Sequence, residues 1–256
     1  MSIQNVVLIG GGVLGSQIAY QTAYKGFHVT IWLRSDASIG RAQPKLQRLH
    51  DIYVAELTAA KSSPGPYSPG LLDNGRTYTP EEIDGRIAQA DAALAGLTLT
   101  TDLAEAVKDA DLVIEALAEV PQEKIEFYQK LAPLLPEKTI LATNTSTLLP
   151  SSLAQYTGRP EKYLALHFAN NIWKQNTAEV MGHPGTDPAA YEEVAQFAAD
   201  IGMVPLRLKK EKNGYLLNSM LVPFLMAAQS LWAEDIADFE TIDKTWVLAT
   251  GAPMGP

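Results

Sequence analysis

Cysteine is absent from the 256 residues, which removes disulfides, thiolate nucleophiles and cysteine-bound zinc from consideration. Histidine is scarce, four in all, and no two share the spacing of metal ligands on one helix face, so no metal is expected. No apolar run approaches the roughly 20 residues that a bilayer crossing needs. The stretch from Met1 to Gly10 enters strand-like residues without a basic leader, and the expectation is a soluble, cytoplasmic protein. Positive charge is in deficit: 20 Lys and Arg stand against 29 Asp and Glu, a net charge of −9. That field repels nucleic acid and anionic membranes alike, so neither is expected as a partner, and an anionic cofactor needs a local, well-aimed site. What the chain does have is apolar content, 46%, enough to fill one large core or two smaller ones.

That apolar content is patterned. Val6 to Ile9 is continuously apolar and β-branched, as in a strand buried on both faces of a parallel sheet. Val13 to Tyr24 reads as a helix ending near Gly26, and Phe27 to Leu33 as a second strand. Further buried strands are expected at 97–100, 112–114, 139–143 and 163–166, with helices starting at Leu103 and Pro121 between them. The alternation predicts an α/β, doubly wound, mostly parallel sheet of the Rossmann type over residues 1–186. An insertion at about 38–95 reads as a helical hairpin: Leu46, Leu49, Tyr53 and Leu57 share one helical stripe, and Ile83, Ile87, Ala90 and Leu94 another. Thr79-Pro80-Glu81-Glu82 carries a capping box and first-turn proline for the second of these helices. Between them, "SSPGPYSPGLLDNGRTY" is rich in Pro and Gly and is expected to be a mobile surface loop. From residue 187 helices dominate, at 188–201, 215–235 and 239–249, a candidate all-α C-terminal domain over 187–256.

The chemistry begins at "IGGGVLGSQIA". Gly10, Gly12 and Gly15 stand between a strand and a helix in the spacing that admits a tight turn, the approach of a pyrophosphate, and close helix packing. The helix start, with the amides around Val13 and Leu14, offers donors and a positive dipole end to the phosphates. About 20 residues on, an acid normally holds the ribose hydroxyls of NAD. Here Leu33 ends the strand and Arg34-Ser35 follow; a cation and a hydroxyl suit a 2′-phosphate, so NADP is favoured slightly over NAD. Asp36 comes late for the usual geometry, and the alternative is that Arg34 is a solvated surface residue.

Polar residues then gather at the carboxyl ends of neighbouring strands, where open α/β sheets place their sites. Glu115 and Glu119 follow the fourth strand, Asn144-Thr145-Ser146 the fifth, and His167 the sixth; Ser146 and Asn144 taken alone could simply cap a helix. His28, His50 and His183 suit exposed or packing roles.

In this order, "GGGVLGSQIA", "DLVIEALAE", "ATNTSTL", "LALHF", "KKEKNGYLLNSMLVP" and "TGAPMGP" resemble the 3-hydroxyacyl-CoA dehydrogenase superfamily, closest to its diketoreductase-like branch. The resemblance implies reversible oxidation of a 3-hydroxy group to a ketone with a nicotinamide cofactor, on an acyl-CoA, 3-oxoester or related small molecule. It implies His167 as the proton carrier, Glu179 as its orienting carboxylate, Ser146 at the reacting oxygen, Asn218 at the substrate, and Glu119 and Lys124 lining the cofactor, where Asn144 is also expected. The family's "HFFNPV" is replaced by His167-Phe168-Ala169-Asn170-Asn171-Ile172, which reshapes the substrate wall and leaves Asn170 as a polar contact. Relatives continue beyond "GAPMGP" through helices that form a dimer interface, so an incomplete helical domain and a homodimer are expected. Two rival readings remain: a dehydrogenase of a free hydroxy acid, of gulonate or carnitine type, and a non-catalytic, crystallin-like nucleotide-binding protein.

Overall fold

The computed structural model describes residues 3–63 and 65–256; Met1 and Ser2 of the expected leaderless start, and Pro64 of the expected loop, lie outside the described residues. The continuously apolar runs pair into one sheet: β1 (Asn5–Ile9), β2 (His28–Trp32), β3 (Thr98–Thr100), β4 (Leu112–Glu115), β5 (Ile140–Thr143), β6 (Tyr163–Phe168), β7 (Thr177–Met181) and β8 (Val204–Arg207). Their order is β3-β2-β1-β4-β5-β6-β7-β8. Every pairing from β3 to β6 is parallel, β6 and β7 run antiparallel, and β8 is again parallel to β7. Alternate side chains of β1 enter different cores: Val6 and Leu8 one, Val7 and Ile9 the other. A strand that feeds two cores needs apolar residues at every position, which is why the alternating pattern of a half-exposed strand is missing.

Helix α1 (Val13–Tyr24) covers the first core together with the hairpin α2 (Asp36–Ala60) and α3 (Pro80–Gly96). The short α4 (Leu103–Val107), α5 (Pro121–Leu131) and the single-turn α6 (Pro150–Leu153) lie with the second. The hairpin stripe is as expected: Leu46, Leu49, Tyr53 and Leu57 are buried, as are Ile83 and Ala90, while Ile87 and Leu94 are half-buried. The Thr79–Glu82 capping box opens α3. Tyr53 docks the hairpin on α1, its ring edge-on to Tyr20 at 4.9 Å and its hydroxyl donating to Gln21 Oε1 at 2.6 Å. The Gln21 amide in turn donates to the carbonyls of Gly70 and Ile201 at 2.9 and 2.7 Å.

Three expectations need correction. The Pro-rich loop is a surface segment over 62–63, 65–66 and 73–77, as expected, but it is anchored at its middle: Leu71 and Leu72 are buried, and the Gly70 amide donates to the Trp173 carbonyl at 2.8 Å. A Cβ on Gly70 would stand 2.7 Å from Trp173 Cα, so glycine is what lets the two chains approach. Second, strands β7 and β8 were not anticipated. Thr177 and Glu179 interrupt the apolar run of β7, and Pro205 sits in β8, where an edge strand tolerates its missing amide. Third, the division falls later than residue 186: α7 (Pro188–Asp200) packs on β6, β7 and β8, so one compact unit extends to Glu211 and the second begins at Lys212. The second unit is helical, with α8 (Leu217–Ala233) and α9 (Phe239–Thr250), the latter capped by Asp238 and closed by Gly251 at φ 73°. No helix among the described residues is long and apolar enough to cross a membrane.

Tyr53→Phe keeps the ring but leaves the buried Gln21 Oε1 without its donor. It is expected to cost about 1–3 kcal/mol in denaturant unfolding, the usual range for a stranded buried acceptor.

Candidate active site

The three signature glycines meet different surroundings. Gly10 has φ +106°, and a Cβ there would sit 2.9 Å from the Ala116 carbonyl oxygen. A Cβ on Gly15 would lie 2.3 Å from the Gly10 carbonyl oxygen, so α1 rests directly on the turn. Around Gly12 nothing stands within 4 Å. Gly12 also N-caps α1 without any side-chain cap, and the first intrahelical bond is Ser16 N to Gly12 O, so the amides of Val13, Leu14 and Gly15 have no helical acceptor. Open space at Gly12 in front of unused amides fits a pyrophosphate.

Beside the turn lies a cleft of about 270 Å³ whose wall includes Leu33, Arg34, Ser38, Arg41 and Lys45. Leu33 is buried, and its Cδ2 lies where it would meet a Cβ on Gly11 at 2.8 Å. Ser35, expected at the cofactor, N-caps α2 by accepting from the Ser38 amide, and its Oγ lies 3.0 Å from Ser38 Oγ. Lys45 Nζ donates to the Gly11 carbonyl at 3.1 Å, placing a cation against the turn.

Further along the strand ends is a buried carboxylate. Glu115, fully buried at the end of β4, accepts from Lys124 Nζ at 2.6 Å, from the Leu117 amide at 2.6 Å, from Tyr128 at 2.6 Å and from Thr143 at 2.8 Å. Burial pushes the Tyr128 hydroxyl far above its ordinary range, with the Glu115 charge adding to it. Lys124 was expected on the cofactor wall, but it is fully buried and held by Glu115 instead, with Glu119 Oε2 3.6 Å from its ammonium. Glu119 binds the turn after β5: it accepts from the Ser146 and Thr147 amides at 2.8 and 3.0 Å and from the Thr145 hydroxyl. Burial pushes this carboxyl upward, but the Thr145 hydrogen bond, the Lys124 charge and the Thr147 contacts outweigh it and hold it below the usual carboxylate range. The turn thus presents Ser146 half-buried, its hydroxyl without a protein partner among the described residues. Neither Ser146 nor Asn144 caps a helix, since α6 is capped by Leu149.

His167 lies within β6 instead of beyond it, and in the antiparallel ladder it stands opposite Glu179 of β7. Both are buried, 5% and 3% exposed, and His167 Nδ1 is 2.9 Å from Glu179 Oε2. A carboxylate can only accept, so Nδ1 carries the proton of this bond. Asn144 Oδ1 accepts from the Phe168 amide at 3.1 Å, tying the end of β6 to the end of β5. The loop after β6 is tied to α1, because Gln17 Oε1 accepts from the Asn171 amide at 2.8 Å, and Asn171 has φ 58°. Asn170 in this loop is exposed. Asn218 lies in the first turn of α8, in the second unit. Of the remaining histidines, His50 bridges Asp51 and Asp91 in the hairpin and His183 donates to the Pro160 carbonyl.

Within the first unit, therefore, the glycine turn, Arg34, Ser35, Asn144, Ser146, Glu119, His167 and Glu179 all stand at the same ends of neighbouring strands. Sequence reasoning missed Gln17, Ser38, Arg41 and Lys45. Gln17 had no signal, being one polar residue within a helix, whereas Ser38, Arg41 and Lys45 repeat at helical spacing on one face of α2, a signal that was present.

Comparison with known proteins gives a consistent picture. The model of the family described as 3-hydroxyacyl-CoA dehydrogenase, NAD binding domain, matches residues 5–67 and 72–212, and that of the same family's C-terminal domain matches 214–256. The mitochondrial hydroxyacyl-coenzyme A dehydrogenase of Homo sapiens is 30% identical over 254 residues, covering 99% of this chain and 74% of that protein. The 3-hydroxybutyryl-CoA dehydrogenase of Clostridioides difficile is 29% identical over 251 residues, 98% of this chain and 79% of that one. Among solved structures, a diketoreductase described as acting on dicarbonyl compounds superposes with a TM-score of 0.87 at 50% identity, covering all of this chain and 82% of its own.

The glycine contrast is testable. Gly15→Val should lower the unfolding free energy by about 2 kcal/mol or more, since backbone must shift. Gly12→Ala should leave the unfolding midpoint unchanged yet weaken binding of a nicotinamide dinucleotide about tenfold, read by titration of its fluorescence.

Proposed function

Because the chain belongs to the 3-hydroxyacyl-CoA dehydrogenase family, and so to the oxidoreductases of CH–OH groups, we propose that His167 and Glu179 perform the proton transfer in reversible oxidation of a 3-hydroxyacyl substrate to its 3-oxo form. The nicotinamide, when bound, supplies the hydride acceptor or donor. His167 takes the substrate hydroxyl proton on Nε2 in oxidation and returns it in reduction, the general acid–base role of an imidazole. Glu179 fixes the tautomer and ring orientation through Nδ1. Ser146, held in place by Glu119, donates to the developing oxyanion, a contribution of about 3 kcal/mol per donor in comparable sites. Asn170 meets the substrate from the loop beyond β6. The observation that carries this reading is the buried 2.9 Å pair of His167 and Glu179 on facing strands.

On the cofactor side, the turn at Gly10, Gly12 and Gly15, with the Val13 and Leu14 amides, receives the pyrophosphate. Leu33, Arg34 and Ser35 border the adenosine ribose and favour NADP over NAD. Asn144 and Glu119, the latter backed by Lys124, face the nicotinamide end. The substrate is an acyl-CoA thioester or a 3-oxoester. A dicarbonyl compound free of CoA is the second reading, favoured by the 50% identity to the diketoreductase. The active species is a homodimer joined through the second unit, whose helices expose Met220, Met226, Trp232 and Leu248.

His167→Ala should reduce turnover of ketone by about a thousandfold, within the range for general acid catalysis, while dinucleotide affinity is retained. Turnover equal to that of the unmodified protein would overturn the assignment. Acetoacetyl-CoA and a simple 3-oxoester, each tried with NADH and NADPH, and free 3-hydroxy acids, each tried with NAD+ and NADP+, separate the substrate readings: activity on the free acids alone refutes both. For the dimer, Trp232→Asp should shift the sedimenting species from dimer to monomer; a wild-type chain that sediments as a monomer refutes it.

A further inference from the structure

We propose that Ser38 and Arg41, on the first two turns of α2, complete with Arg34 a subsite for the 2′-phosphate of NADPH, and that Arg41 is its specificity-determining residue. The inference rests on the reading of the glycine turn as a dinucleotide site.

Four observations converge on it. First, the position that would hold a ribose diol through a carboxylate is Leu33, buried and packed beneath the glycine turn, so the end of β2 offers no acceptor side chain to two hydroxyls. Second, the cleft beside the turn is lined by three cations, Arg34, Arg41 and Lys45, and by a single carboxylate, Glu123. Asp36, on the first turn of α2, does not line the cleft. Third, in a chain of net charge −9 these three cations have no carboxylate partner among the described residues. Unpaired cations gathered on one wall keep their donors for a ligand anion. Fourth, the groups are already oriented. Ser35 caps the helix, its Oγ lies 3.0 Å from Ser38 Oγ, and Arg41 Nη2 donates to Ser38 Oγ at 2.8 Å. One nitrogen of the fork is thereby fixed next to a hydroxyl at the start of a 25-residue helix, where the dipole also favours an anion.

The division of labour follows from reach. Lys45 is bound to the Gly11 carbonyl, so its charge belongs to the turn and to any dinucleotide. Arg41 and Ser38 stand one and two helical turns nearer the end of β2, on the ribose side, so they distinguish a phosphate from a hydroxyl there. A planar fork suits a phosphate dianion better than a point charge does.

The test is equilibrium binding of NADPH and NADH to the full chain, followed by reduced-nicotinamide fluorescence, with adenosine 2′,5′-bisphosphate and ADP as competitors. Arg41→Ala is expected to weaken NADPH about tenfold or more and NADH by less than about twofold, and to abolish the advantage of the bisphosphate over ADP. Arg41→Lys should recover part of the loss, and Ser38→Ala should give a smaller, equally selective loss. Equal weakening of both dinucleotides would assign Arg41 to the pyrophosphate and overturn the inference, as would no weakening of either. A wild-type chain that binds NADH more tightly overturns the 2′-phosphate subsite while leaving the dinucleotide site intact. Failure of both dinucleotides to bind refutes the underlying reading of the glycine turn.

Discussion

The register of β6 against β7 is the constraint on which the rest depends. In an antiparallel ladder residues directly opposite share a face, so His167 opposite Glu179 brings ring and carboxylate within 2.9 Å without any loop having to place them. A slip of one residue would turn every side chain of β7 to the other face and set the ring against an apolar neighbour. The register is protected at the connection between the two strands. Asn144 holds the Phe168 amide from β5, and Gln17 holds the loop that joins the two strands. A carboxylate this deeply buried costs several kcal/mol to desolvate, so Glu179 is not there for stability. It is held there by the hydrogen bond that it accepts from His167 Nδ1.

The same reasoning separates the two lysine and glutamate pairs of the strand ends. Glu115 and Lys124 are both fully buried, and four protein donors converge on the Glu115 carboxylate, so that carboxylate is engaged wholly within the protein. They form a rigid base. Glu119, whose Oε2 lies 3.6 Å from the Lys124 ammonium, directs Oε1 at the Ser146 and Thr147 amides and at the Thr145 and Thr147 hydroxyls. Between the buried lysine and the half-buried Ser146 stand Glu119 and the backbone of the turn that it holds. A residue matched to a cofactor wall by resemblance can thus act through two intermediates.

Much of this was legible in the sequence, for identifiable reasons. The strand, glycine turn and helix from Val6 to Tyr24 announce themselves because both faces of β1 are buried and each glycine has a steric job. The hairpin stripe through Leu46, Leu49, Tyr53 and Leu57 was legible because one helical face carries the burial. What escaped was what depends on partners far away in the chain. β7 is broken as an apolar run by the very glutamate that the site requires, and β8 carries a proline that only an edge position excuses. The loop around Gly70 looked mobile by composition, yet its proximity to Trp173 is a tertiary fact that no local propensity records. The His167 and Glu179 pairing itself followed only from family resemblance; twelve residues of separation say nothing until the hairpin register is known.

One helix then links cofactor and catalyst. The amides at the start of α1 face the open space at Gly12, and one turn later Gln17 grips the loop beyond His167, while Gln21, a further turn on, grips the hairpin and the approach to β8. These two glutamines are buried and lie on a single face, i and i+4. A buried amide side chain that satisfies two backbone amides, or two carbonyls, is hard to replace, because an apolar substitute strands groups that already have no water. Through them α1 sets a common frame for the dinucleotide turn, the loop beside the histidine and the hairpin carrying Arg41. Displacing any one of the three without moving the helix would require breaking buried hydrogen bonds, so the relative placement of the glycine turn and the loop beside His167 is a property of α1 and not of the loops that border the cleft.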